Sequence, residues 1–341
     1  MSVPYLRVEN LTVRLRSSDG VVRAVNDLSF SVARGRTLGI VGESGSGKTV
    51  TGLAVMGLHD PRRSEIGGRI LVDGVDLQAL PEPERRRLRG GDLAMIFQDP
   101  LSALHPYYTV GRQITEAHRV HQKGVGRAAA RRHAIDLLGR VGIPQPQRRV
   151  DQYPHEFSGG MRQRAMIAMA LVNNPKVLIA DEPTTALDVT VQAQILDLLA
   201  DLQREYQSAI IMITHDLGVV RQVAHDVLVM YGGRAVEQGS AAQVLGDPQH
   251  PYTWGLLASV PTLRGPVAGD LVPIPGNPPS LVHLPGGCAF HPRCRFADRT
   301  GGASRERVPE LLPSGQAGHL AACHLPAADR RAARTETGVS A

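Results

Sequence analysis

A short glycine-rich segment has the residue types and spacing to bind phosphate groups. It fits the pattern GxxxxGK[ST] and consists of Gly42, Glu43, Ser44, Gly45, Ser46, Gly47, Lys48 and Thr49. The glycines allow the backbone to curl so that successive N–H groups and a helix start point at an anion. Lys48 would place a cation on the β and γ phosphates of a nucleotide, and Thr49 would offer a hydroxyl to Mg²⁺. Because an apolar run precedes the segment and a helical stretch follows it, we predict a phosphate-binding loop (P-loop) rather than a chance turn.

Two adjacent acids could complete a hydrolytic site. Asp181 and Glu182 directly follow the apolar run from Val177 to Ala180. In an α/β sheet such residues lie at the carboxyl end of a strand, where ligands bind. Asp181 would hold Mg²⁺, usually through water, and Glu182 would polarise an attacking water as a general base. With the P-loop, these acids predict a nucleotide-hydrolysing enzyme.

The elements that must position these residues are typical of an α/β domain. Three runs are short and apolar throughout, as buried strands of a parallel sheet are: 38–41, 177–180 and 209–214. Nearer the N-terminus, apolar and polar residues alternate, which predicts a small antiparallel sheet. Helical spacing of apolar residues predicts an inserted helical subdomain over about 99–165.

Composition and charge favour a cytosolic globular protein. The 341 residues are 42% hydrophobic, enough for a sizeable core. No run reaches the ~18 apolar residues of a membrane span, and Met1 to Asn10 lack the pattern of a signal peptide. The net charge of +6 is spread along the chain, which favours a solvated surface over a nucleic-acid-binding patch.

A segment shortly before the two acids narrows the choice among nucleotide-hydrolysing families. It contains Ser158, Gly159, Gly160 and Met161, and it resembles the signature sequence of ATP-binding cassette (ABC) ATPases, with Met161 where the commonest version has Gln. Ser158 and the glycines would form a second anion cradle at a helix start. The resemblance implies that this cradle binds the γ-phosphate of ATP held by a partner subunit, so that two chains enclose two nucleotides.

Other residues match the family in the expected order along the chain. The resemblance implies that Gln98 touches Mg²⁺ or the attacking water and borders the groove that receives the permease. It implies that Asp188, in Ala186-Leu187-Asp188, belongs to the loop that communicates across the dimer, and that His215 contacts the γ-phosphate. Leu15 stands where the family commonly stacks adenine on an aromatic ring, so apolar contact would replace stacking.

The family resemblance covers residues 5 to 245 and implies an α/β fold with a P-loop NTPase (RecA-like) core. To this core it adds the N-terminal antiparallel β-subdomain, the inserted helical subdomain and a small irregular C-terminal module. The bound species implied are ATP and Mg²⁺, the metal being held by Thr49, Gln98 and Asp181.

The chain beyond the cassette resembles one group within the family. His250-Pro251-Tyr252-Thr253 and the stretch from Pro273 to Cys294 are similar to the C-terminal extension of ATPases from oligopeptide and dipeptide importers. We therefore predict a nucleotide-binding domain over 1–245 and a C-terminal domain over 246–326. The small, polar and charged residues of 327–341 predict a disordered tail.

All three cysteines lie in the C-terminal module. Cys288, Cys294 and Cys323 occur near two histidines, and such clustering in a cytosolic protein suggests metal ligands. Relatives carry four cysteines that can hold an iron–sulfur cluster, and Gly301 stands at the place of the third. Three alternatives remain: a cluster with another ligand, a zinc site with one histidine, and free thiols.

The resemblance implies an ATPase at the cytoplasmic face of the membrane that energises uptake of di- and oligopeptides. The implied partners are a second, related ATPase chain in a heterodimer, two transmembrane permease subunits and an extracytoplasmic substrate-binding protein, with no nucleic acid. Nickel chelates, glutathione and opines are alternative cargoes. A soluble ABC ATPase of translation or DNA repair is the rival class, but such proteins normally carry two cassettes or a long coiled-coil insertion, and this chain has neither.

Overall fold

The computed structural model describes residues 4–185, 187–259 and 273–337. Four parts of the sequence-based predictions lie outside these residues: residues 1–3 of the predicted nucleotide-binding domain, Ala186 of the dimer-communication loop, residues 260–272 of the predicted C-terminal domain, and residues 338–341 of the predicted tail. In the part of the chain that is described, no helix is long and apolar enough to span a membrane.

The strands of the described residues are β1 (Pro4–Ser17), β2 (Gly20–Ala33), β3 (Thr37–Val41), β4 (Ser64–Val72), β5 (Val75–Asp76), β6 (Leu93–Ile96), β7 (Val177–Asp181), β8 (Ala209–Thr214), β9 (Asp226–Tyr231), β10 (Arg234–Ser240), β11 (Leu312–Pro313) and β12 (Leu320–Ala321). The helices are α1 (Lys48–Met56), α2 (Glu82–Leu88), α3 (Pro100–Ala103), α4 (Val110–His121), α5 (Arg127–Arg140), α6 (Pro146–Arg149), α7 (Gly159–Leu171), α8 (Val189–Tyr206), α9 (Leu217–Val223), α10 (Ala241–Gly246), α11 (Pro251–Ala258), α12 (Ala303–Glu306) and α13 (Ala327–Thr335).

The chain divides into two compact units, and the first holds residues 1–6, 32–36 and 71–212. Its strands β6 and β7 are parallel, with Leu93 opposite Val177, and β8 follows β7 in the order of the sheet. All three strands are buried along their length, as expected of parallel strands covered on both faces. Helices α3 to α6 lie in the segment predicted to be helical, and α7 runs past its predicted end at residue 165 to Leu171.

The second unit holds residues 7–31, 37–70 and 213–341. Its strands follow the order β11-β12-β10-β9-β3, in which β3 and β9 are parallel and the other pairs are antiparallel. A separate sheet contains the neighbours β2, β1 and β4. Since β1 and β2 are joined by only Ser18 and Asp19, they form a hairpin, and the predicted antiparallel sheet is present.

The boundary predicted near residue 246 does not separate compact units. Strand β12 of the C-terminal module pairs with β10 of the cassette, with Ala321 opposite Glu237. The buried Glu237 carboxylate also accepts hydrogen bonds from the His250 N–H at 3.0 Å and from His319 Nε2 at 2.8 Å. These contacts hold the described residues of the module in the second unit.

The prediction of disorder from residue 327 is wrong for the described part of the tail, which forms helix α13. Ala333 is buried in an apolar cluster with Trp254, Phe296 and Leu325. Arg330 donates to the Leu325 carbonyl at 3.0 Å, and Arg334 pairs with Asp247 at 2.7 Å. Composition suggested disorder because arginines, rather than apolar side chains, provide most of the burial of this helix.

Candidate nucleotide site

The P-loop has backbone conformations that require glycine. Gly42 and Gly47 have φ angles of 153° and 103°. A Cβ atom would lie 2.3 Å from the Met230 carbonyl oxygen at Gly42 and 2.3 Å from the Ala24 carbonyl oxygen at Gly47. Two close backbone approaches therefore fix the curl between β3 and α1, which is the geometry that presents N–H groups to an anion.

Lys48 is held inside this loop at the first residue of α1. Its side chain is buried, and its Nζ atom donates to the carbonyls of Gly42 at 2.7 Å and Glu43 at 2.9 Å. Ser44, Gly45 and Thr49 are exposed around it, whereas Ser46 is buried. The loop thus combines a buried cation with an accessible rim of backbone and hydroxyl groups, which fits a phosphate ligand.

Two other predicted residues belong to the same compact unit. His215 directly follows β8 and is exposed, while the next residue, Asp216, caps the start of α9 by accepting from the Gly218 N–H at 2.7 Å. Leu15 lies on β1 and is half-buried. Its partly accessible apolar side chain is compatible with the predicted contact to a base.

The predicted general base lies in the other compact unit. Asp181 is the last residue of β7 and is buried, and Glu182 follows it with a φ of 46°, an uncommon value for a residue other than glycine. Gln98 Nε2 donates to Glu182 Oε2 at 3.1 Å, and Thr185 Oγ1 donates to the same oxygen at 2.9 Å. The structure therefore brings Gln98 and Glu182 together and adds Thr185, which the sequence analysis missed.

The signature segment begins helix α7. Ser158 is its N-cap and accepts from the Met161 N–H at 3.3 Å, while Gly159 stays exposed and Gly160 half-buried. Further along α7, the buried Gln163 donates through Nε2 to the Pro183 carbonyl at 2.5 Å. Helix α7 is thereby tied to the loop that follows Glu182. Sequence reasoning gave Gln163 no role, because a glutamine in a helix carries no distinguishing signal.

Asp188 has a local structural role at the start of α8. Its side chain caps this helix by accepting from the Val191 N–H at 2.9 Å, and the residue is exposed. In all, the first unit carries Gln98, Asp181, Glu182, Asp188 and the signature segment, whereas the second unit carries the P-loop and His215.

The three cysteines line one small cavity in the second unit. The cavity has a volume of about 20 Å³, and its walls include Cys288, Cys294, Cys323, His291 and His324. Burial raises the pKa of Cys288 to about 11 and that of Cys294 to about 12, and it also raises the pKa of Cys323. Without a bound metal, the three thiols are therefore protonated at neutral pH.

The donor set around this cavity does not fit a metal centre. Within the described ranges, no three His, Cys, Asp or Glu side chains are grouped so that they could hold a metal ion. Gly301, at the place of the expected third cysteine, ends a short 3₁₀ turn with a φ of 58° and offers no side chain. Of the alternatives raised by the sequence, this arrangement favours free thiols.

Comparison with known families gives two matches. Residues 25–185 match the family described as ABC transporter, and residues 236–300 match the family described as oligopeptide/dipeptide transporter, C-terminal region. The second match begins in β10, so it includes cassette residues as well as most of the C-terminal module.

Curated relatives match along most of the chain. The oligopeptide transport ATP-binding protein OppD of Haemophilus influenzae is 50% identical over 95% of this chain and 98% of its own length. The protein of the same name from Bacillus subtilis is 53% identical over 86% of this chain and 82% of its own length. The one from Escherichia coli is 50% identical over 94% of this chain and 93% of its own length.

Solved structures with a similar fold are ABC cassettes. The cassette MJ0796, solved as a dimer in a post-hydrolysis state with ADP and Pi, has a TM-score of 0.63 and 25% identity, over 69% of this chain and 98% of its own. CbiO1 of Clostridium perfringens has a TM-score of 0.59 and 30% identity, over 71% and 90%. These likenesses confirm the predicted α/β fold of a P-loop NTPase.

Proposed function

Since this chain belongs to the ABC transporter ATP-binding proteins that carry an oligopeptide/dipeptide transporter C-terminal region, we propose that it is the ATP-hydrolysing subunit of an importer for di- and oligopeptides. The observation that carries the proposal is the match of residues 236–300 to that region, in a chain 50% identical to an oligopeptide transport ATP-binding protein over 95% of its length.

In this proposal the P-loop binds the phosphates of ATP. Backbone N–H groups of Gly45 to Thr49 and the start of α1 face the negative charge, and Lys48 exchanges its carbonyl partners for the β and γ phosphates. The oxygen ligands that suit Mg²⁺ come from the hydroxyl of Thr49, the side-chain amide of Gln98 and the carboxylate of Asp181. When bound, this metal neutralises charge on the phosphates.

Glu182 then acts as the general base toward the attacking water. Gln98 and Thr185 both donate to its Oε2 atom, so they fix the direction of the carboxylate. A base positioned in this way accelerates the step by ~10²- to 10⁴-fold. His215 contacts the γ-phosphate in this scheme, and Leu15 contacts the adenine base.

The active form in this proposal is a pair of cassettes. Ser158, Gly159, Gly160 and Met161 at the start of α7 bind the γ-phosphate of ATP held by a partner chain, and Asp188 communicates across the dimer. A dimeric solved relative supports this arrangement. The partner is a second, distinct ATPase, and the pair lies peripherally on two permease subunits at the cytoplasmic face, fed by a substrate-binding protein.

The cargo is assigned to peptides because the similar curated proteins carry that name. Nickel chelates, glutathione and opines are the other cargoes for the same motor, and a soluble ABC ATPase of translation or DNA repair is the rival class. Affinity purification of the tagged chain from gently lysed cells distinguishes an importer subunit from a soluble ABC ATPase. We expect it in the membrane fraction with two permease subunits, and recovery with ribosomes instead would overturn the importer assignment.

A further inference from the structure

The second residue of the P-loop is held by the C-terminal module through both its side chain and its backbone. The Glu43 carboxylate pairs with Arg293, whose NH1 and NH2 atoms donate at 2.6 and 3.0 Å to its two oxygens. The Glu43 backbone N–H donates to the Tyr252 hydroxyl at 2.7 Å. Both partners come from the module, at separations of 250 and 209 residues.

Arg293 is fixed in place independently of Glu43. Its side chain is only 5% exposed. Its Nε atom donates to the Pro275 carbonyl at 2.8 Å, and NH1 also donates to the Tyr231 hydroxyl at 3.2 Å. The hydrogen bonds to Glu43 raise the pKa of Arg293 above its ordinary value. A rigid, permanently charged fork therefore faces one carboxylate, the geometry that makes arginine a specific bidentate partner.

Tyr252 is fixed by an aromatic cluster at the beginning of α11. Its ring lies 4.5 Å from that of Tyr231 and 5.4 Å from that of Phe290, measured between centroids. The same buried cluster includes Val41, the last residue of β3 before the P-loop. Burial raises the pKa of Tyr252, so it remains a neutral hydroxyl that can accept the Glu43 N–H.

These contacts act on the atoms that hold the P-loop lysine. Glu43 supplies one of the two carbonyls to which Lys48 donates, and Gly42 supplies the other. We infer that Arg293 and Tyr252 are positioning residues for ATP binding, and that they set the conformation of the P-loop through Glu43. The inference rests on the proposed role of the P-loop, and it gives the C-terminal module a part in nucleotide affinity.

The test measures the Kd for ATP of the full-length chain by titration calorimetry, and kcat in the assembled transporter. We expect Arg293→Gln and Glu43→Gln each to weaken ATP binding about three- to tenfold, the loss expected from one typical net hydrogen bond. The double variant should have a Kd for ATP no higher than that of the single variant with the higher Kd, because both changes remove the same interaction. Tyr252→Phe, which removes only the hydroxyl, should weaken binding about threefold. For Arg293→Gln and Tyr252→Phe, kcat should change less than twofold, since the lost interaction contributes to binding rather than to the chemical step.

Arg334→Gln is the matched control. Arg334 pairs with Asp247 in the same unit, and the side-chain exposures of 9% and 26% are close to the 5% and 26% of Arg293 and Glu43. The Arg334→Gln variant should lower the melting temperature as Arg293→Gln does, but it should leave the Kd for ATP unchanged. Equal effects of the two variants on the Kd, or no effect of Arg293→Gln on it, would overturn the inference. Lys48→Ala tests the underlying role of the P-loop separately: it should abolish ATP binding, and retained binding would refute that role instead.

Discussion

At the scale of single residues, the carboxylate of Glu182 is the group to which we assign the role of general base in hydrolysis. Gln98 and Thr185 converge on one of its oxygens, at 3.1 and 2.9 Å. The backbone at Glu182 has a φ of 46°, and uncommon backbone conformations of this kind occur often at functional sites. The local geometry is therefore that of a directed carboxylate rather than of a freely rotating surface acid.

Replacing Glu182 by Gln should separate binding from hydrolysis. The amide keeps the size of the side chain but cannot accept a proton, so we expect turnover to fall by ~10²- to 10⁴-fold while ATP binding persists. An ATP-bound dimer should accumulate, which size-exclusion chromatography with labelled ATP detects. Undiminished hydrolysis by this variant would refute the role of Glu182 as base.

The three cysteines, which are half-buried, should behave as free thiols of low reactivity. Because burial raises their pKa values, to about 11 for Cys288 and about 12 for Cys294, they stay protonated at neutral pH. The stability that depends on the neutral thiols is fully present below the ordinary pKa of a thiol, and it is lost as the pH rises from there through the raised values. We expect an aromatic disulfide reagent to react slowly with the native chain at pH 7.5 and rapidly after unfolding. Stoichiometric iron and sulfide in anaerobically purified protein would contradict this assignment.

Sequence reasoning at this scale can locate candidate residues where spacing is local. The positions of Lys48 and of Asp181 next to Glu182 follow from a few consecutive residues and the strand before them. The links from Arg293 and Tyr252 to Glu43 span 250 and 209 residues, and no local pattern could have revealed them.

At the scale of elements, helix α13 shows how the C-terminal end is held. It places Ala333 against Trp254, Phe296 and Leu325. The guanidinium group of Arg330 donates to a backbone carbonyl, and that of Arg334 donates to a carboxylate. The neighbouring Ala332 is exposed. One face of a short polar helix is therefore packed and the other is solvated.

A charge on the packed face should destabilise the protein, whereas the same charge one residue earlier should not. Ala333→Asp buries a carboxylate in an apolar cluster, so we expect a loss of about 2 kcal/mol or more in unfolding free energy. Ala332→Asp should change it by less than about 0.5 kcal/mol, as surface changes usually do. Thermal or urea unfolding distinguishes them, and equal stabilities would show that α13 is not packed.

The types of the main elements were predictable, and the small ones were not. Strands β3, β7 and β8 follow from apolar runs too short for helices and flanked by turn residues. The two-residue strands β11 and β12 form because β10 offers an edge, and their own residues give no periodic pattern. Helix α13 was missed because arginines provide much of its burial.

At the scale of the whole molecule, the C-terminal module is not structurally separate from the P-loop. The described module residues share a compact unit with the P-loop, and the module reaches Glu43 through two side chains. The fold class was predictable from the order of motifs along the chain. The absence of a boundary at residue 246 was not, because it depends on the pairing of β10 with β12, whose residues are distant in sequence.

ATP hydrolysis by this chain drives peptide uptake, a claim that transport in reconstituted vesicles can test. The complex would contain this chain, its partner ATPase, two permease subunits and the substrate-binding protein, with a labelled tripeptide outside the vesicle lumen and ATP on the side of the ATPases. We predict that the peptide accumulates only when ATP is present. In the Glu182→Gln complex, both ATP hydrolysis and peptide accumulation should decrease. Equal accumulation with and without ATP, or unchanged uptake in the Glu182→Gln complex, would contradict the claim.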